Sequence, residues 1–341
     1  MFTNDDNYPM LYSCCLPVKG YKNSIICDIQ RQSYISIPST LYEITMDIGK
    51  YSIGQLKMKY VDEDIEIIEL YFRYLWEQKY LFYTPFPSSF PKLDIGDWDE
   101  SSVITNAIID IGEDIAYNFK DILHDLNVLG CRQLQIRCYS IKSLSFFDDA
   151  LENTDSNNLD AIELIIAYSA DIIDIPIEYL TNKYPLLSRI VLFNAPLNNQ
   201  YLSGTGNCLI VYSTQQIDDE THCGAISKDF FSFNIKAFTE SQNWNSCLNR
   251  KISIDKHGLI KNCPSMKRSY GSIVEKSLLE VALSANGFKD LWHIKKDDIS
   301  GCKDCEYRYV CSDCRAYLDE DSMYSKPVKC RYDPYEAIHL E

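Results

Sequence analysis

Short apolar runs alternate with helical segments between about residues 100 and 215 of the chain. The runs are NAIIDIG, QLQIRCY, AIELIIAY, RIVLFNAP and CLIVYST, and the segments between them include IEYLTNKYP and FKDILHDLNVLG, which ends at Gly130. The first four runs recur about every 25 to 30 residues, which is the period of βα units. The pattern therefore predicts an α/β fold with a parallel sheet or a partial α/β barrel, because five strands are too few to close a barrel of eight.

The first 95 or so residues follow a different pattern. Two strand-like runs, SIICDI and SYISIPS, are split by the polar QRQ and predict a β-hairpin. A helical stretch follows at LYEITMDIG, and the segment VDEDIEIIELYFRYLWEQ after it has apolar residues on one helix face. These residues are Ile65, Ile68, Phe72 and Leu75. Together the elements predict a winged-helix-like unit over residues 1–95, followed by a proline-rich linker, PFPSSFPKLDIGDWDE.

The charge balance restricts the classes of partner. Acidic residues number 49 against 33 basic ones, and the net charge of −16 argues against general binding of nucleic acid or anionic membranes. The N-terminus MFTNDDNYPML has neither a basic nor an apolar export region, and no run reaches the ~18 apolar residues of a membrane span. We therefore expect a cytoplasmic protein that binds neither nucleic acid nor a membrane.

Cysteines are the main sign of chemistry in the chain. There are fourteen, and clustered thiols in a reducing compartment usually bind metal. Seven lie in the last 95 residues: Cys247, Cys263, Cys302, Cys305, Cys311, Cys314 and Cys330. The chain from about residue 216 has little regular pattern, so we expect a metal to replace a missing apolar core there. Six others lie in or beside apolar stretches, which favours ordinary core thiols: Cys14, Cys15, Cys27, Cys131, Cys138 and Cys208.

The spacing of the late cysteines helps to distinguish between metals. Residues 302–314 read C-x2-C-x5-C-x2-C. Two zinc knuckles usually need about twelve or more intervening residues to turn both pairs towards one ion. Closely packed thiolates of this kind suit iron–sulfur clusters, in which three nearby cysteines and one remote cysteine hold each cube. The spacing favours iron–sulfur over zinc, and zinc over free thiols.

These motifs carry a resemblance to a known family. The segment NSCLNRKISIDKHGLIKNCPSM has a C-x10-G-x4-C pattern, formed by Cys247, Gly258 and Cys263, and it precedes the C-x2-C-x5-C-x2-C run and Cys330. This order resembles the SPASM domain of radical S-adenosylmethionine peptide-modifying enzymes. Four segments are similar to the SPASM-domain peptide maturases of grasp-with-spasm systems, which occur beside ATP-grasp ligases. These segments are CLNRKISID, KNCPSM, DCEYRYVCSDCRAY and KPVKCRYDPY.

The resemblance implies two auxiliary 4Fe-4S clusters. By position, one would be held by Cys302, Cys305, Cys311 and Cys330. The other would take three ligands from Cys247, Cys263 and Cys314. The family usually has three residues rather than two before the cysteine that matches Cys314. No fourth ligand is obvious, and Cys223 is the candidate because it is the nearest preceding thiol, ahead of His222 and His257.

One motif of the family is absent. A radical S-adenosylmethionine enzyme needs C-x3-C-x2-C after its first barrel strand, and the segment after NAIIDIG reads EDIAYNFKD. The middle region thus resembles a degenerate radical barrel, and we expect no cleavage of S-adenosylmethionine. The expected division is a winged-helix-like unit over 1–95, a partial α/β barrel over 96–235 and a SPASM domain over 236–341.

The function implied by the resemblance is maturation of a ribosomally made peptide together with an ATP-grasp ligase. The N-terminal hairpin and helices resemble the winged-helix elements that bind leader peptides, so the precursor peptide is an expected partner. Whether the chain is itself an enzyme stays open at this stage. One alternative is a non-enzymatic adaptor that presents peptide to the ligase, and another is a binding protein whose cysteines hold structural zinc.

Overall fold

The N-terminal part of the computed structural model combines short strands with three helices. The structure describes residues 4–60, 63–96, 99–113, 117–152, 154, 158–169 and 175–339. The strands are β1 (Tyr8–Leu11), β2 (Cys15–Val18), β3 (Asn23–Asp28), β4 (Ser33–Pro38) and β5 (Leu81–Thr84). The helices are α1 (Ser39–Thr45), α2 (Ile53–Lys59) and α3 (Glu63–Glu77), and the predicted start of α3 at 61–62 lies outside the described residues.

The predicted hairpin is confirmed as β3 and β4. Ile26 lies opposite Ile35 in antiparallel register, and β2 extends the pair to a three-stranded sheet in the order β2-β3-β4. The polar turn forms because the Asp28 carboxylate accepts from the backbone N–H groups of Gln30, at 3.0 Å, and Arg31, at 2.7 Å. This is the local bonding by which Asp favours turns.

Both faces of this small sheet are covered. On one face Ile26 and Ile37 pack with α1 and with the apolar face of α3, where Ile68, Phe72 and Leu75 are buried as predicted and Ile65 is half-buried. On the other face Val18, Ile25, Cys27 and Ile29 share a core with residues of the cysteine-rich region. These residues are Tyr307, Val310, Cys311 and Tyr332.

A mostly parallel sheet of eight strands dominates the rest of the fold. Its strands are β6 (Asn106–Ile111), β7 (Gln133–Cys138), β8 (Ala161–Ala167), β9 (Leu187–Phe193), β10 (Asn199–Leu202), β11 (Leu209–Tyr212), β12 (Lys251–Ile254) and β13 (Ile260–Lys261). The order is β10-β11-β9-β8-β7-β6-β12-β13. The five predicted runs are confirmed as mutually parallel strands, since β6, β7, β8, β9 and β11 pair in parallel in that order.

Helices cover one face of this sheet. They are α4 (Phe119–Val128), α5 (Leu144–Leu151) and α6 (Ile175–Lys183), and the sequence pattern had not indicated α5. The Asn118 side chain caps α4 by accepting from the N–H of Asp121 at 3.3 Å. The helix ends before Gly130, whose φ of 80° and whose close approach to Ser102 leave no room for a β-carbon.

The cysteine-rich part contributes to the same sheet and core. It contains α7 (Ile235–Asn243), α8 (Leu278–Leu283), β14 (Tyr332–Asp333) and β15 (Ile338–His339), in addition to β12 and β13. β12 pairs in parallel with β6, so the parts predicted as a partial α/β barrel and as a SPASM domain share one sheet.

The expectation that this part lacks a core is wrong for its first half. Ile252, Ile260, Met266 and Phe288 belong to the main apolar core. A small separate cluster around Ile294 and Ile299 follows, next to Cys302. Across the described ranges, no helix has the length and apolar character to cross a membrane.

Candidate metal centres

Four of the predicted ligands, Cys302, Cys305, Cys311 and Cys330, lie near one another and are called the first cysteine group. Cys302 begins a short 3-10 turn that follows Gly301. The N–H of Cys305 donates to the Cys302 carbonyl at 3.0 Å. Burial raises the pKa of Cys302 to about 11, and the neighbouring Cys330 and Cys311 contribute to the rise. Burial raises the pKa of Cys305 as well, with smaller contributions from Cys311 and Cys302. The fold therefore places these thiols in one neighbourhood, in which no three of the four sulfurs lie within 4.8 Å of one another.

A buried lysine faces the first cysteine group. Lys296 is 3% exposed, and its Nζ donates to Cys311 Sγ at 3.4 Å and to the Ser312 carbonyl at 3.1 Å. Desolvation alone would lower the pKa of Lys296. Cys311, Cys302 and Asp313 outweigh it and raise that pKa above its ordinary value. Lys296 therefore lies among the sulfurs of Cys311 and Cys302 and the Asp313 carboxylate.

The carboxylate nearest to Lys296 is already engaged. Asp313 Oδ1 lies 3.8 Å from Lys296 Nζ, but Arg315 approaches the same carboxylate with Nε at 2.7 Å and Nη2 at 2.8 Å. Asn245 Nδ2 donates to it at 2.6 Å. Two buried cations thus share one carboxylate, and a buried cation without its own counter-charge costs several kcal/mol. Four neutral thiols would leave this excess in place, whereas four thiolates around a metal would balance it.

The remaining predicted ligands, Cys247, Cys263, Cys314 and Cys223, form the second cysteine group. The Asn245 side-chain oxygen accepts from the N–H of Cys247 at 3.0 Å and fixes that turn. Burial, and then the neighbouring Cys247 and Cys223, raise the pKa of Cys263 to about 12. Burial also raises the pKa of Cys314, with a smaller contribution from Cys247. All four thiols therefore occupy one neighbourhood.

Cys223 remains the candidate for the fourth position. Gly224, next in the chain, lies so close to Cys314 that a β-carbon there would be 3.1 Å from Cys314 Sγ, and its φ is 83°. Lys329 Nζ donates to the carbonyls of Thr221 and Cys223 and holds this loop beside Cys330. The weaker candidates His222 and His257 are both exposed, as is Cys223 itself, so Cys223 is preferred for its position beside Cys314.

A second lysine accompanies the second cysteine group. Lys251, the first residue of β12, is half-buried, and its Nζ donates to Cys247 Sγ at 3.3 Å. Desolvation works against its charge, but Cys247, Cys263 and Cys223 raise its pKa. Each group of four thiols therefore has one lysine ammonium that donates a hydrogen bond to a sulfur.

The cysteines expected to be core thiols lie in the core. Cys131, Cys138 and Cys208 are buried in the main core, Cys15 and Cys27 are buried in the N-terminal region, and Cys14 is half-buried. Among the described residues, Cys14, Cys15 and Asp28 are the one set of three or more Cys, His, Asp or Glu side chains whose ligand atoms all lie within 4.8 Å of one another, which the sequence did not indicate. The Asp28 carboxylate is bound by the Arg31 guanidinium as well as by the hairpin turn, so its bonds already have a structural explanation.

The sheet face opposite the helices is polar, which sequence analysis missed. Asn106, Gln133, Gln135, Glu163 and Arg189 lie on this polar face and, with Lys251, line a cavity of about 410 Å³. Gln135 donates to Glu163 at 2.5 Å, and Arg189 lies 3.1 Å from the same carboxylate. The signal was present in the sequence, because Asn, Gln, Arg and Glu alternate with the apolar residues of the first three runs. Through Lys251 the cavity adjoins the second cysteine group.

A buried ion pair occupies the carboxyl ends of β6 and β7. The Arg137 guanidinium donates to both oxygens of Asp110, at 2.5 and 2.8 Å, and the Tyr139 hydroxyl donates to the same carboxylate at 3.2 Å. Beyond it, Gly112 lies against the Lys256 carbonyl, which would be 1.9 Å from an added β-carbon. The segment that lacks the cysteine triplet therefore starts at a closely packed position, and its residues 114–116 lie outside the described residues.

Comparisons with known proteins give weak likenesses. No protein-family model matches the chain, and no curated protein matches it. Among solved structures, SuiB of Streptococcus suis aligns at 12% identity with a TM-score of 0.34, covering 93% of this chain and 98% of that one. The structure of SuiB bound to S-adenosylmethionine aligns at 11% identity with a TM-score of 0.36, covering 94% and 100%. Both of these structures are of SuiB, at a similarity too low to support an argument about function.

Proposed function

We propose that the protein is an iron–sulfur peptide-maturation protein that binds two 4Fe-4S clusters and a precursor peptide and works with an ATP-grasp ligase. One observation carries the cluster assignment. The eight candidate thiols fall into two groups of four, and each group includes a lysine whose Nζ lies within 3.4 Å of a sulfur. The maturation pathway and the ligase rest on the resemblance to SPASM-domain maturases.

Cys311 and Cys314 are close in sequence but belong to different cysteine groups, which supports iron–sulfur clusters over a zinc ion. In a zinc knuckle, both cysteines of C-x2-C bind the same ion. Here Cys311 neighbours Cys302 and Cys330, while Cys314 neighbours Cys247. Ligands that separate in this way suit two clusters, each built from nearby thiolates and one remote thiolate.

Different parts of the chain would bind the clusters and the peptide. The first and second cysteine groups would hold the clusters, which supply one-electron chemistry when bound. The polar face would bind and orient a polar segment of peptide, since 410 Å³ lies within the usual range of ligand sites. Lys251 would connect that cavity with the second cysteine group.

The leader of the precursor would add to the small N-terminal sheet. Both outer strands lack a further strand partner among the described residues, but β2 has only four residues with Pro17 inside it, whereas β4 has six and its proline, Pro38, is the last of them. β4 is therefore the better edge for strand addition. Because the second face of this sheet packs on the cysteine-rich region, leader binding is to be measured on the whole chain.

Metal analysis of anaerobically purified protein tests the proposal. We expect about eight irons and equal sulfide, since each cube holds four. The pair Cys302→Ser with Cys305→Ser should lower the iron to about four, as should the pair Cys247→Ser with Cys263→Ser. Cys131→Ser, in the main core and outside both groups, is the matched control and should retain all iron. Stoichiometric zinc without iron would instead identify a zinc-stapled binding protein.

A further inference from the structure

The two lysines that face the cysteine groups lack a carboxylate partner of their own. Among the described residues, Lys251 forms no ion pair within 4.0 Å, and its hydrogen bond goes to Cys247 at 3.3 Å. Lys296 shares Asp313 with Arg315, which approaches that carboxylate about 1 Å more closely. Other lysines of the same region do pair, as Lys261 does with Asp255 at 2.6 Å. The anions that match Lys251 and Lys296 best are therefore the thiolates of the two groups.

A fixed positive charge beside a cluster changes the energy of its reduction. Reduction adds one electron from a one-electron donor and makes the cluster more negative, while the protons of the lysine stay in place. An ammonium that donates to a ligand sulfur stabilises the reduced form more than the oxidised form, because the attraction grows with the negative charge. Net charge, hydrogen bonds to sulfur and solvent exposure are among the factors that set cluster potentials.

We propose that Lys296 raises the reduction potential of the cluster in the first cysteine group and that Lys251 raises that of the cluster in the second. This inference rests on the proposed function, because it requires both clusters. Each lysine would act on the reduction potential of one cluster, through its charge and its hydrogen bond to a ligand sulfur. The larger effect belongs to Lys296, because it is buried whereas Lys251 borders a cavity open to water.

Lys296→Met and Lys251→Met remove one charge each at nearly constant side-chain length. Lys295→Met is the matched control, since Lys295 is the neighbour of Lys296 but donates to the Gln242 carbonyl at 2.9 Å. Redox titration followed by electron paramagnetic resonance resolves the two clusters by their separate signals. Iron and sulfide are measured on every sample, so that failure to find clusters is read as failure of the proposed function.

We expect each lysine variant to lower the reduction potential of the cluster beside that lysine. The equilibrium constant for reduction should fall about tenfold in Lys296→Met, which is about 59 mV for one electron, and by less in Lys251→Met. The other cluster and the Lys295→Met protein should keep their potentials. Unchanged potentials in iron-replete variants, or equal shifts of both clusters in each variant, would overturn the inference. If Lys296→Met fails to assemble the first cluster, Lys251→Met decides by whether the second potential alone moves.

Discussion

Replacing Asp313 by Asn tests whether the buried charges around the first cysteine group are arranged for an anionic cluster. Asp313 is 3% exposed and lies between the Arg315 and Lys296 cations. At 3.8 Å and an effective dielectric constant of about 20, the attraction between Asp313 and Lys296 is about 4 kcal/mol. Removing one partner of such a buried pair typically costs about 3–5 kcal/mol, because the other charge is left uncompensated.

The size of the loss should depend on the metal. In iron-free protein Cys302 is a neutral thiol at pH 7, since burial raises its pKa to about 11, and burial raises the pKa values of Cys305 and Cys311 as well. Asp313→Asn then leaves two buried cations unbalanced, and we expect a loss of about 3–5 kcal/mol in the free energy of unfolding. In the loaded protein the thiolates supply negative charge, so the loss should fall to about 1–2 kcal/mol, the value of altered hydrogen bonds.

Denaturant titrations of both forms under argon, followed by circular dichroism, measure these losses. Asp297→Asn is the control, because Asp297 is only partly buried in its contact with Arg308 and should cost at most about 1 kcal/mol in either form. Equal losses for Asp313→Asn in the two forms would refute the charge argument. The lysine and arginine would then be balanced without the thiolates.

Three further predictions follow from other parts of the molecule. Anaerobic protein with S-adenosylmethionine and a reductant should form no 5′-deoxyadenosine above a blank, since the C-x3-C-x2-C triplet is missing; formation would reveal an unrecognised ligand set. Cys223→Ser should lower the iron of the second cysteine group, whereas His257→Ala should not; equal iron in both variants would remove Cys223 from that group. Ser36→Pro in the whole chain should weaken binding of leader peptide in calorimetry, because the register places the Ser36 N–H on the outer side of β4. The melting temperature should stay the same, and unaltered binding would move leader recognition away from this edge.

The main sheet was predictable because its strands are buried. Runs such as AIELIIAY and RIVLFNAP are mostly apolar, and their spacing leaves room for one helix each. β12 was missed because KISI has only four residues and follows polar sequence. It pairs with β6 across about 145 residues of chain, and no local pattern reports such a pairing.

The division of the thiols into two groups is what the resemblance to SPASM domains implies, and the sequence showed no sign of the charges beside them. A lysine in a polar segment such as HIKKDD looks like any solvated residue. Only the fold shows that Lys296 is buried while its neighbour Lys295 remains partly exposed. The polar face was hidden in the same way, because Gln135 and Glu163 interrupt runs whose other residues are apolar.

The packing of the small N-terminal sheet places the proposed leader site next to the first cysteine group. Tyr34 of β4 stacks on Phe233 at 5.1 Å and meets Tyr307 edge-on at 5.6 Å. Tyr307 in turn accepts at its carbonyl the N–H of Cys311, at 3.0 Å. A strand added to β4 would lie beside the contact between Tyr34 and Tyr307. The Tyr307 carbonyl is hydrogen-bonded to Cys311, a proposed cluster ligand. Packed interiors transmit small displacements, and this series of contacts joins the proposed leader site on β4 to Cys311, a proposed cluster ligand.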